Sequence, residues 1–155
     1  MQALGPVGSA TGQRAAGYTD AQVSWRHARE MDDGACRLRE LEVDVAIVTT
    51  LPEWVRPRNG RSGLAVQWKS FMAKLRAHEA THRQHGLQSA AAVREAILAL
   101  PPQSDCRRLA QTIDRAARRE IRRHAALSRR YDALTDFGAK EGVRLEVRGP
   151  AQTTR

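Results

Sequence analysis

The chain has 155 residues, which suits one domain and leaves little room for two. With 41% hydrophobic residues it can bury a core, which argues against a wholly disordered chain, and it has no run of about 18 apolar residues that would span a membrane. Lys and Arg total 26 against 17 acidic residues, giving a net charge of +9, and 23 of the 26 are Arg. Such a surplus attracts polyanions, but Arg-for-Lys bias also follows from GC-rich coding sequence, so charge alone selects no function.

Residues 1–16 are rich in Gly, Ala, Ser and Thr and form a flexible lead-in without the apolar centre of an intact signal peptide. From Gly17, the segment GYTDAQVSWR has strand character, with Val23 and Trp25 alternating against polar neighbours. MDDGA at 31–35 is a turn. The following CRLRELEVDVAIVTTLP sets Val43, Val45 and Ile47 on one face and Asp44, Ala46 and Val48 on the other. That period of two, rich in β-branched residues and stopped by Pro52, predicts a second strand. Residues 53–63, with Pro57, Asn59 and two glycines, form a loop.

Helix follows. Leu64, Trp68, Phe71, Met72 and Leu75 recur at three- and four-residue steps and make an apolar stripe. Gly86 is expected to interrupt it, after which 90–100 resumes a helical pattern that Pro101 and Pro102 end. A second long helix over 105–131 aligns Leu109, Ile113, Ala117, Ile121 and Tyr131, and its other faces are crowded with Arg. TDFGAKEG at 135–142 is a turn, and VRLEV at 143–147 alternates as a short final strand. The order β-β-α-α-β predicts an α+β domain over 17–148, a small antiparallel sheet packed on two or three helices, with a tail at 149–155.

One motif carries a mechanism: His78-Glu79-Ala80-Thr81-His82, an HExxH. On a helix, positions i and i+4 share a face, so both imidazoles can converge on one metal ion. Glu79, one residue round from His78, is placed to reach a water held by that metal. Zinc lowers the pKa of such a water towards neutrality, and the glutamate takes its proton as the water attacks a carbonyl. His78 and His82 also continue the buried stripe of Leu64, Trp68, Phe71 and Leu75, where a metal-free histidine pair needs other partners. Against this stands the plain reading of two hydrogen-bonded histidines, and the metal is favoured over it. Cys36 and Cys106 lie 70 residues apart and form no CxxC unit. They are two free thiols or one disulfide, and no zinc knuckle.

The same residues resemble a bacterial family, domain of unknown function 922, described as predicted secreted zinc-dependent proteases. The likeness runs from about Gly17 to Val147. GYTDAQVSW is similar to the family's opening strand, and LPEW at 51–54 to the close of its second. W-x-x-F-x-x-x-L at 68–75 leads into the HExxH, and YDALTDFGAKEG at 131–142 resembles a closing YD-x-x-T-x-HG-x-x-QG signature. The resemblance implies a zincin-like fold with the HExxH on a central helix, Zn2+ as cofactor, a peptide or protein substrate, and a secreted or periplasmic location. In that setting Cys36 and Cys106 are expected to form a disulfide.

The family carries His where this chain has Phe137, and that His is its natural third ligand. A catalytic zinc site normally has three protein ligands plus water. A neighbouring carboxylate is therefore expected to substitute, with Asp136 preferred and Glu141, which replaces the family's Gln, as the alternative. From the same signature, Tyr131 is a candidate donor to a developing oxyanion, and Asp132 a candidate partner orienting a ligand histidine. His85 is expected on the helix surface or as a cap, and His124 as a satisfied interior histidine. The leading function is a zinc metallopeptidase with Glu79 as general base. Its rivals are an inactive zincin-like binding module and a basic nucleic-acid- or anion-binding protein. The Arg-rich helix lacks interleaved aromatics, which weighs against nucleic acid.

Overall fold

The computed structural model describes residues 16–55 and 62–145. Strands β1 (Tyr18–Asp32) and β2 (Ala35–Thr50) form one antiparallel hairpin. Asp33 and Gly34 join them, and both have positive φ, 47° and 74°. That pair of left-handed residues makes the two-residue turn whose twist matches the flanking strands, and Asp-Gly adopts it at little cost. The alternation then sorts the side chains. Val23, Trp25, Leu38, Leu41 and Val43 pack against Val93, Ile97, Leu109, Ile113 and Ala117 of the helices. Arg26, Glu42 and Asp44 face solvent, with Arg26 and Glu42 paired at 2.7 Å. The two helices are α1 (Ser62–Leu98) and α2 (Cys106–Thr135), followed by a 3-10 turn over Ala139–Glu141. The side-chain pairs His78–Asp132 and His82–Ser128 run in opposite chain directions, so the helices are antiparallel. The fold is α+β, as the periodicities predict. No helix among the described residues is long and apolar enough to cross a membrane.

Three departures from the sequence reading have local causes. First, α1 passes through Gly86 without a break and runs for 37 residues. A mid-helix glycine costs about 1 kcal/mol relative to alanine, but a Cβ on Gly86 would lie 2.6 Å from the Cβ of Ala21. The glycine is a bearing surface on which the hairpin seats, not a breaker. Second, α2 continues four residues past Tyr131, to Thr135. Its start is fixed by Asp105, whose carboxylate accepts the Arg108 N–H at 2.8 Å. Third, 143–145 form no strand, while 146–147 lie outside the described residues. The N–H groups of Val143 and Arg144 donate to Gly138 and Gly142, so the turn itself consumes the bonds a strand would need. The lead-in at 1–15 and the tail at 149–155 also lie outside the described residues.

Cys36 and Cys106 are joined in a disulfide, with Cα atoms 5.1 Å apart. The bridge ties the start of β2 to the first residue of α2. Beside it Cys36 and Gln103 exchange backbone hydrogen bonds of 2.7 and 3.0 Å. Closing a loop of this length removes roughly 4 kcal/mol of unfolded-state freedom on the chain-entropy account. Reduction should therefore lower the thermal midpoint by roughly 10 °C. Calorimetry with and without a phosphine reductant measures this, and coincident transitions would show that the bridge contributes little.

Candidate metal centre

Helix α1 turns its Phe71–Leu75 face inward, and one turn further the same face carries His78 and His82, 4% and 9% exposed. Opposite them, α2 presents Asp132. The Oδ1 of Asp132 lies 2.8 Å from His82 Nε2 and 3.3 Å from His78 Nε2, and the two Nε2 atoms are 3.3 Å apart. Three ligand-type atoms thus converge on one point, and they are the one such group among the described residues. A tetrahedral zinc with bonds of 2.0–2.1 Å separates its ligands by about 3.3 Å, which two edges of the triangle match, while the 2.8 Å His82–Asp132 edge would have to open slightly.

The outward ring nitrogens are engaged too. Glu141 Oε2 lies 2.8 Å from His78 Nδ1, and Ser128 Oγ lies 2.7 Å from His82 Nδ1. With each Nδ1–H donating to an oxygen, a cation at the shared point would find both Nε2 lone pairs, in place of the Nε2–H bonds to Asp132 that the site makes without one. Tyr131 stacks on His78, with ring centroids 4.9 Å apart, and its hydroxyl donates to both Glu141 oxygens at 2.8 and 2.9 Å. Burial pushes the Asp132 carboxyl up, but the hydrogen bonds from His78 and His82 outweigh it and bring the pKa down to about 2. Burial likewise pushes His78 down, and the Asp132, Glu141 and Glu79 carboxylates leave it raised. This is a negatively charged cradle, suited to a cation.

Glu79 is 3% exposed and does not join the triangle. Its Oε2 accepts a hydrogen bond of 2.8 Å from the Thr19 hydroxyl, itself 3.0 Å from that of Thr49. The chain at Gly17 is close enough that a Cβ there would lie 3.4 Å from Glu79 Oε1. The hairpin therefore holds the carboxylate of the HExxH in place. From the far side, the turn after α2 folds back onto the motif. Asp136, Phe137 and Gly138 all have positive φ, and a Cβ on Gly138 would sit 3.2 Å from the His78 ring. Glycine is needed there for both its φ and its lack of side chain.

The predicted residues divide accordingly. His78 and His82 come together, with Glu79 beside them on the hairpin side. Asp136 caps α2 through its backbone and is not in the converging group, whereas Asp132, expected as an orienting partner, is. Glu141, expected as an alternative ligand, instead holds the far nitrogen of His78. The two carboxylates have exchanged roles. Tyr131 lies at the site, but its hydroxyl is committed to Glu141. His85 is half-buried rather than on the surface, and burial lowers its pKa, aided by His82 and His124. His124, expected as a satisfied interior histidine, is half-buried like His85, and its Nδ1 has no hydrogen-bond partner. Thr19 and Ser128 also belong to the site, bonded to Glu79 and His82. A signal for Ser128 exists, since 128 and 132 repeat on α2 the i, i+4 spacing of 78 and 82 on α1.

Fold and site together define an α+β domain in which a helical hairpin, clamped by a β-hairpin, assembles a His-His-Asp group able to hold a metal ion. The chain matches the family described as "Bacterial protein of unknown function (DUF922)" over residues 1–138, and it belongs to that family. No curated protein and no solved structure gives a match.

Proposed function

We propose that this protein is a zinc-dependent peptidase acting outside the reducing cytosol. The observation that carries the reading is the meeting of His78 Nε2, His82 Nε2 and Asp132 Oδ1 beside a separate, buried Glu79. Two imidazoles and one carboxylate suit zinc and leave a fourth position open for water or substrate. Zinc in such a site supplies Lewis acidity toward a water and a scissile carbonyl. Everything else falls to the chain. Glu79, fixed by Thr19, takes the proton from the attacking water and passes it to the leaving amine. Glu141 and Ser128 keep the two imidazoles in the tautomer that turns Nε2 inward. Tyr131 holds Glu141 in position, so its contribution runs through His78 and not through an oxyanion. The Cys36–Cys106 bridge supports an oxidising compartment, since such bonds rarely persist in the cytosol.

The test is metal analysis of the purified protein, followed by hydrolysis of an unfolded protein substrate. We expect bound zinc, activity lost on chelation and activity regained on adding zinc. A protein that holds zinc tightly yet cleaves no substrate would sink the peptidase reading and leave a metal-bearing binding module. Iron in place of zinc would redirect it to oxygen chemistry, which uses the same two-His, one-carboxylate donor set.

A further inference from the structure

A cavity of about 380 Å³ lies between β1, α1 and α2, next to the metal centre. It shares three residues with that centre: His82, a candidate ligand, Ser128, bonded to the far nitrogen of His82, and Thr19, which holds Glu79. Its walls also include His85, His124 and Arg129. We propose that this cavity receives the side chain of the substrate residue flanking the scissile bond, and that it selects a carboxylate-bearing one, Asp or Glu. The inference rests on the peptidase reading and names its substrate class.

Three observations converge on an anionic occupant. His85 and His124 each have a buried Nδ1 with no hydrogen-bond partner. Burying an N–H without an acceptor is the costlier arrangement, so each neutral ring keeps its proton on Nε2, its remaining polar atom. Both rings line the cavity, and in this tautomer each carries its N–H on Nε2. Ser128 adds a third donor. Its oxygen accepts from His82 Nδ1 when Nε2 of that ring faces the metal, so its own hydroxyl proton is free to donate. Arg129 brings a full positive charge, while the one acidic residue in the lining, Asp20, already accepts from the Gln22 amide at 3.1 Å. The cavity thus sets several donors and the Arg129 charge against a single carboxylate, Asp20. Donors left unmatched by an apolar side chain penalise it, and a carboxylate satisfies them with charge-assisted bonds. A side chain in the cavity would lie against His82 and Thr19, which sets the adjoining peptide bond toward Glu79.

The experiment measures binding and cleavage separately. Zinc-loaded Glu79→Gln protein, unable to turn over, is titrated calorimetrically with blocked tripeptides that differ only in one central residue: Glu, Gln or Leu. We expect the Glu peptide to bind about tenfold or more tighter than the Leu peptide, with Gln between. His85→Ala with His124→Ala should abolish that preference while zinc content stays unchanged. The milder His124→Gln, which retains a donor, should keep most of it and guards against a folding defect in the double variant. Equal affinity for the three peptides, preference for Leu, or no binding of any would overturn the subsite. The two readings fail separately. Glu preference in a protein that hydrolyses nothing leaves the subsite and removes the peptidase, and zinc-dependent hydrolysis without preference does the reverse.

Discussion

Glu79→Gln should lower zinc-dependent hydrolysis by about 10²- to 10⁴-fold, the usual worth of a positioned general base, and leave zinc content unchanged. The separation follows from geometry. Glu79 is outside the converging triad, so its charge is not needed to hold the ion. Its hydrogen bond comes from the Thr19 hydroxyl, and a glutamine oxygen accepts that bond equally well. The side chain keeps its volume and its anchor and loses only basicity. A thermal midpoint within a few degrees of wild type is therefore expected alongside the lost activity. Hydrolysis within a few-fold of wild type would mean that another group takes the proton. Loss of zinc in this variant would mean that Glu79 is a ligand and that the assignment of the site is wrong.

The hairpin and the two helices are legible in the sequence because each carries its own period. Val43, Val45 and Ile47 alternate, and Leu64 to Leu75 step by three and four, so burial follows directly from pattern. The histidine pair is legible for the same reason, since spacing of four on a helix is a statement about direction. What the sequence hides is set by tertiary contact. Gly86 has the local signature of a breaker, and only the approach of Ala21 explains its presence in mid-helix. The position of Asp132 is hidden by a boundary. A helix ending at Tyr131 would carry Asp132 into the turn and off the inward face. Because α2 runs on to Thr135, Asp132 stays one turn from Ser128 and faces the histidines. A shift of four residues at a helix end, ordinary for sequence reading, is enough to bring Asp132 rather than Asp136 into the converging group.

Asp132→Asn should weaken zinc binding by at least about 100-fold, more than the 10- to 100-fold typical of losing an outer partner. Asp132 is the one carboxylate in the converging triad, and an amide in its place is neutral and a poor zinc ligand. Glu141→Gln should cost less, about tenfold, because Glu141 meets His78 at its far nitrogen, and a glutamine oxygen can still accept from that N–H and from Tyr131. Asp136→Asn should leave affinity as it is, since Asp136 serves the helix end through its backbone. Phe137→His completes the set. The family resemblance implies a histidine ligand here, but on the proposed reading Asp132 supplies the third donor, so zinc affinity should not rise. Stability should rise slightly instead. Phe137 has a φ of 51°, uncommon for a bulky residue, and histidine is found there more readily. Competition with a chromogenic chelator ranks the four variants, and circular dichroism confirms that each is folded. Zinc lost from Asp136→Asn but retained by Asp132→Asn would overturn the assignment of the third ligand.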